Sequence, residues 1–194
     1  MDKLGIGFVG AGWMGATLMR RIIERDDAEI VALHQRSREN ASRVLGELGL
    51  EPGIFEPSFE AMLASPEVRA VFICSPNSSH GPQSIAAMEA GKHVFCEKPC
   101  ATVHAEFVKQ VELAKAHPEL ITYVNYLMNF DTMEARVCDM VREGDFGTIT
   151  QIQVNYRHPI NIVGDKVWKF SGETMGDAIG MGIIHALSVM LNIM

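Results

Sequence analysis

Gly10-Ala11-Gly12-Trp13-Met14-Gly15 follows the apolar run Leu4–Val9 and opens a segment, Ala16–Arg25, whose Leu18, Met19, Ile22 and Ile23 share one side of a helix. Strand, glycine turn, helix is the context in which a G-x-G-x-x-G pattern carries meaning. Gly10 permits a tight turn, Gly12 permits close approach of the backbone to a diphosphate, and Gly15 lets the helix pack against the strand. The helix start adds N–H groups and the positive end of its dipole. The stretch therefore predicts a dinucleotide site in a βαβ unit, with Trp13 and Met14 counted among its residues. The competing reading is a strand-to-helix turn that holds no ligand.

Outward from this turn, strands are predicted at Glu29–Leu33, Arg69–Cys74, His93–Cys96 and Leu120–Tyr126. Helices are predicted at Arg38–Leu48, Ser58–Ala64, Ser78–Ala90 and Thr102–His117, three of them closed by Gly49, Gly91 and Pro118. Strands alternating with helices at this pitch imply a parallel sheet with right-handed crossovers. The fold class expected for residues 1–122 is α/β, a Rossmann-like doubly wound parallel sheet. Residues 123–194 change character: a helix at Met133–Arg142, a turn at Gly144–Gly147, an alternating strand at Thr148–Tyr156, a loop, and an apolar helix at Gly176–Met194. One strand and two helices do not close a core, so this part reads as an incomplete α+β domain.

The chain has 194 residues, 47% of them hydrophobic and 21% charged, with a net charge of −7. An acidic balance offers no footprint for nucleic acid and no polybasic patch for a membrane. No signal peptide or membrane span is evident, and a cytoplasmic location is expected. Cys74, Cys96, Cys100 and Cys138 show no zinc-ligand spacing, so no metal site is expected, and free thiols are.

A site preferring NAD carries Asp or Glu about 20 residues beyond the glycine turn, bonded to the ribose hydroxyls. This chain has Gln35 there, followed by Arg36, Ser37 and Arg38. An acid would repel a 2′-phosphate, whereas arginine grips phosphate through paired hydrogen bonds. The four residues favour NADP, with NAD as the alternative. The rival reading makes both arginines solvated residues at a helix start.

Val94-Phe95-Cys96-Glu97-Lys98-Pro99 ends a strand, counted here as the fifth, at the carboxyl edge of the sheet, where open α/β sheets bind ligands. A lysine at that edge can donate to the cofactor or exchange a proton with a substrate hydroxyl. From spacing alone, a surface lysine at a strand end fits equally well. Taken with the glycine turn, Glu97-Lys98-Pro99 resembles the signature of the Gfo/Idh/MocA oxidoreductases. Ser75-Pro76-Asn77-Ser78-Ser79-His80 resembles the segment after that family's fourth strand, and Gly144–Ile149 its helix-to-sheet junction. The resemblance implies hydride transfer between NAD(P) and a hydroxyl-bearing carbon of a sugar, polyol or related compound. It implies that Lys98 is the acid–base or hydroxyl-binding residue and that Glu97 orients it. Pro76, Asn77 and His80 would line the nicotinamide side, and Ser75 would join the cofactor-binding residues.

The same family usually carries an Asp and a His four residues apart on a later helix. His185 fits the His, but Met181 stands in the acid's place, and Asp177, eight residues upstream, lies about 12 Å away along a helix. His185 is the second catalytic candidate. Tyr126, Asn129, Arg157 and His158 are expected to face the substrate. Relatives continue well beyond residue 194, so Thr148–Tyr156 would lack strand partners. A fragment, or a homo-oligomer joined through the second-domain sheet, is expected. Two other functions fit the same residues: a non-enzymatic NAD(P)-binding or regulatory protein, and a lyase or glycosidase that uses the cofactor transiently.

Overall fold

The structure of the protein, a computed structural model, describes residues 3–157 and 182–194. It divides into two compact units, Met1–Val124 and Asn125–Met194.

The first unit runs β1 (Leu4–Val9), α1 (Trp13–Ile23), β2 (Ala28–His34), α2 (Arg38–Leu48), a 3-10 turn (Pro52–Ile54), α3 (Phe59–Ala64), β3 (Ala70–Ile73), α4 (Asn77–Glu89), β4 (His93–Glu97), α5 (His104–Ala116) and β5 (Thr122–Asn125). The sheet order is β2-β1-β3-β4-β5. The β1–β2, β1–β3 and β3–β4 pairs are all parallel. The chain winds outward from β1 in both directions, which leaves a crevice at the carboxyl ends beside β1.

Period-two alternation sorts side chains onto the two faces. Ile6 and Phe8 of β1 join Met19 and Ile22 of α1 and Val44 and Leu45 of α2 in one core. Val71 and Ile73 of β3 and Val94 of β4 join Met62 of α3, Met88 of α4 and Leu113 of α5 in the other. Helices thus cover both faces, as a doubly wound sheet requires. Phe8, Phe72, Phe95 and Tyr123 form a row across four strands, with successive ring centroids 5.0, 4.5 and 5.4 Å apart. Cross-strand aromatic pairs of this kind fix register as well as burying area.

Local chemistry sets several helix ends. Ser37 and Ser58 cap α2 and α3, their hydroxyls accepting from the N–H groups of Asn40 and Ala61. Gly49 ends α2 in the left-handed conformation. Helix α1 begins at Trp13, three residues before the predicted start, because the glycine turn itself leads into the first helical turn. The strand ending at Glu97 is the fourth, not the fifth. Between β2 and β3 only a single bridge, Leu33 to Phe55, touches the sheet, so no further strand intervenes.

The second unit contains a 3-10 turn (Leu127–Phe130), α6 (Thr132–Glu143) and α7 (Ile184–Ile193). Asp131 caps α6, its carboxylate accepting from the Met133 N–H, and Gly144 closes the helix in the left-handed conformation. The predicted strand at Thr148–Tyr156 is not formed. A strand exists through its ladder, and no described residue of this unit supplies one. The sheet expected to join subunits is therefore absent from the described residues. His158, Asp177 and Met181 lie outside them.

Candidate cofactor site

The carboxyl ends of β1 to β4 bring the predicted residues of the first unit to one edge. The glycine turn follows β1, Gln35–Arg38 follows β2, Ser75–His80 follows β3, and Lys98-Pro99 follows β4.

The three glycines of the turn do different work. Gly10 has φ +91, and a Cβ there would lie 2.6 Å from the Cys74 carbonyl oxygen. A Cβ on Gly15 would run into the carbonyl oxygen of Gly10. Both glycines are required by the protein's own backbone. Gly12 differs: a Cβ there would meet no atom of the chain within 4 Å, and its φ of −71 suits any residue. The space above Gly12 is open, and α1 starts there with no side-chain cap on its N–H groups. Bare helix-start donors facing open space form a cradle for a diphosphate. The residues present therefore fit a dinucleotide. Trp13, 80% exposed, stands at the rim of this cradle, and Met14 is half-buried.

Gln35 reaches back to the turn. Its Oε1 accepts from the Ala11 N–H at 3.2 Å, tying the end of β2 to the glycine loop. Arg36, Ser37 and Arg38 are exposed. The Arg38 guanidinium lies over the Phe55 ring, 4.7 Å from its centroid, which holds a cation in a set orientation beside the end of β2. Arg36 has no ion-pair partner among the described residues.

On the other side of the crevice, Glu97 and Pro99 are buried and Lys98 is half-buried. Asn77 is buried at the start of α4, and Pro76 immediately precedes that helix. The Ser75 hydroxyl donates to Gln83 Oε1 at 2.6 Å, anchoring the loop after β3 to α4. His80 corrects the sequence reading. It was expected to line the nicotinamide side, but it is only 1% exposed, with Nδ1 2.7 Å from the Pro99 carbonyl oxygen and Nε2 2.8 Å from that of Ser75. A neutral ring donates to one of these carbonyls and an imidazolium to both, and at this burial the ring faces the two backbones rather than open space. Burial lowers the His80 pKa, the two carbonyls raise it, and the charge of Lys98 adds to the lowering.

All four cysteines are free. Burial pushes the Cys96 thiol up to about 12 and raises Cys74 and Cys100 as well, so these remain protonated and inert. No cluster of His, Cys, Asp and Glu able to hold a metal ion occurs among the described residues.

The second unit gathers a separate group. His185 is buried near the start of α7, with its ring 6.1 Å from that of Tyr156. The Ser188 hydroxyl contacts the His185 carbonyl oxygen at 2.7 Å and Asn129 Oδ1 at 3.2 Å. Tyr126 is half-buried and Arg157 exposed. Sequence reasoning singled out His185 and Asn129 but missed Ser188 and Tyr156. Ser188 was findable, because three residues along a helix places it beside His185.

Residues 4–126 match the sequence model GFO_IDH_MocA, the oxidoreductase family with an NAD-binding Rossmann fold. The chain belongs to this family. Among its relatives, inositol 2-dehydrogenase 3 of Saccharopolyspora erythraea is 31% identical over 155 residues, 79% of this chain and 45% of the relative. Inositol 2-dehydrogenase of Serratia proteamaculans is 28% identical over 188 residues, 96% of this chain and 53% of the relative. The crystal structure of scyllo-inositol dehydrogenase from Lactobacillus casei, with bound NAD(H) and scyllo-inositol, superposes with a TM-score of 0.84 at 26% identity. That comparison covers 99% of this chain and 56% of the other. The chain thus spans about half the length of the relatives it matches. No helix among the described residues is long and apolar enough to cross a membrane.

Proposed function

We propose that the chain is an NAD(P)-dependent dehydrogenase acting on a hydroxyl-bearing carbon of a polyol or sugar-like compound. The open cradle at Gly12, in a chain of the oxidoreductase family, is the observation that carries this reading. A bound nicotinamide cofactor supplies the hydride chemistry. The protein's part is to bind the diphosphate at the α1 start and to place a proton carrier, Lys98, at the carboxyl edge. His185 is proposed as a second hydroxyl-binding group. Relatives named for inositol support a cyclic polyol as substrate.

Within this proposal NADP is the favoured cofactor. Gln35 replaces a carboxylate that would repel a 2′-phosphate, and its side-chain oxygen is occupied by the Ala11 N–H. Arg36 and Arg38 bring positive charge to the same strand end, where the exposed Ser37 hydroxyl can still donate. Titration with NADPH and NADH, followed by quenching of Trp13 and Trp168 fluorescence, tests the preference. NADPH is expected to bind more tightly, and Arg36→Ala to weaken NADPH about tenfold while sparing NADH. Tighter binding of NADH would overturn the preference. The Lactobacillus casei enzyme carries NAD(H), so the cofactor preference marks a difference to be measured.

Self-association belongs to the proposal as well. Phe130, Met133 and Leu191 of the second unit are each 70% exposed or more. Large apolar side chains in that state favour a covered face. Sedimentation velocity is expected to show a species larger than one chain.

A further inference from the structure

Two loops border the cofactor edge, and one buried ring touches both. The first runs from the end of β3 through Ser75 and Pro76, and the second from the end of β4 through Lys98, Pro99 and Cys100. The His80 ring lies between their backbones, within hydrogen-bond reach of the Ser75 and Pro99 carbonyl oxygens. A neutral imidazole donates to one of these oxygens and an imidazolium to both.

The chemistry of the second loop explains why such a strut is needed. Pro99 has no N–H, so the carbonyl is its only polar backbone handle. His80 holds that handle. The next carbonyl, that of Cys100, accepts from Gln110 Nε2 at 2.8 Å. Gln110 is itself buried on α5 and lies 3.5 Å from the Gly81 carbonyl oxygen of α4. The two residues that follow Lys98 are thus each pinned by a buried side chain, one from α4 and one from α5.

We infer that His80 is a positioning residue for Lys98, fixing the Pro99 carbonyl against the Ser75 carbonyl and with it the backbone from which Lys98 projects. The inference rests on the reading that Lys98 serves the cofactor site. It gives His80 an effect on the site although its ring is buried.

The test uses the full chain with His80→Leu, which removes both contacts, and His80→Gln, which restores one side-chain N–H. One readout is amide hydrogen exchange over residues 97–103, compared with β1 and α2. The other is modification of Lys98 by an amine-directed imidate, located by mass spectrometry, with and without saturating NADPH. In the natural chain NADPH is expected to shield Lys98. His80→Leu should speed exchange in the loop and reduce the shielding about tenfold, the scale of one buried hydrogen bond left unmade. His80→Gln should recover part of both, and β1 and α2 should not change. If Lys98 is not shielded in the natural chain, the cofactor-site reading of Lys98 fails. If Lys98 is shielded there and equally in His80→Leu, with unchanged loop exchange, the positioning role fails alone. Exchange rising across the whole unit, with no recovery in His80→Gln, would also overturn it, because His80 would then be an ordinary core residue.

Discussion

Lys98→Met is expected to lower kcat for oxidation of a cyclic polyol by about 10²- to 10⁴-fold, the range for loss of a positioned proton carrier. Cofactor affinity should change far less. Three features of the site support this. Lys98 follows β4 at the carboxyl edge, on the far side of the crevice from Gln35–Arg38. It is half-buried, so part of its side chain stays open to solvent. Its backbone neighbours Glu97 and Pro99 are buried, so the side chain starts from a fixed point. Methionine keeps much of the stem's volume and removes the charge and its donors. Lys98→Arg separates two roles. It preserves positive charge but cannot release a proton in the working pH range. If Lys98 carries the substrate's proton, arginine should be nearly as damaging as methionine. If it serves only as a positive charge, arginine should recover most of the rate. The assay follows NADPH absorbance with myo-inositol and scyllo-inositol as substrates, in the natural chain and both variants. Equal kcat in all three would remove Lys98 from the chemistry.

The first unit was legible because its sequence signals agree with one another. Leu4–Val9 and Arg38–Leu48 were read with the boundaries they have in the structure. Apolar runs bounded by glycine and serine leave little freedom when both faces of each strand must be covered. The strand ends that carry the candidate residues were legible, but not the contacts those residues make. Nothing in Ser75-Pro76-Asn77-Ser78-Ser79-His80 says that the histidine turns inward to grip Pro99, because that contact spans 19 residues. The bridge from Gln110 to Cys100 was invisible for the same reason. Gln35 was read as a missing acid. In the structure it is also a tie to the Ala11 N–H, a role that strand-end spacing alone does not reveal.

The second unit was harder. Alternation across Thr148–Tyr156 describes a strand's two faces, but no pattern within one segment supplies the neighbouring strand it must pair with. The helix signals there held at Thr132–Glu143 and, for the part of the helix expected at Gly176–Met194 that lies within the described residues, at Ile184–Ile193, because helices satisfy their backbone groups internally. Local structure was readable wherever it is self-sufficient, and lost where it depends on a partner.

The glycine turn makes the same distinction testable. Gly12→Ala and Gly15→Ala add one methyl group each, three residues apart, and are expected to fail in opposite ways. At Gly15 the new Cβ runs into the carbonyl oxygen of Gly10, backbone against backbone, with no flexible atom to move aside. Overpacking of this kind costs about 1–3 kcal/mol. The Gly10 peptide cannot yield freely, since Gly10 holds φ +91 and its N–H donates to the His34 carbonyl oxygen at 2.9 Å. Gly15→Ala should therefore lower the denaturation midpoint and, by prying α1 from β1, weaken the cofactor too. At Gly12 the methyl group meets nothing in the protein, and the backbone conformation accepts it. Stability should fall by less than about 1 kcal/mol, the modest penalty for alanine at a helix N-cap. The methyl group does, however, occupy the space where a diphosphate would meet the α1 start. Cofactor affinity should drop about 10-fold or more, the same overpacking cost expressed as binding. Urea titration of both variants without cofactor, alongside NADPH titration of each, separates the two effects. If Gly12→Ala binds NADPH as the natural chain does, the cradle is not where the diphosphate sits. If it unfolds as readily as Gly15→Ala, the openness above Gly12 belongs to the protein's own packing and not to a ligand.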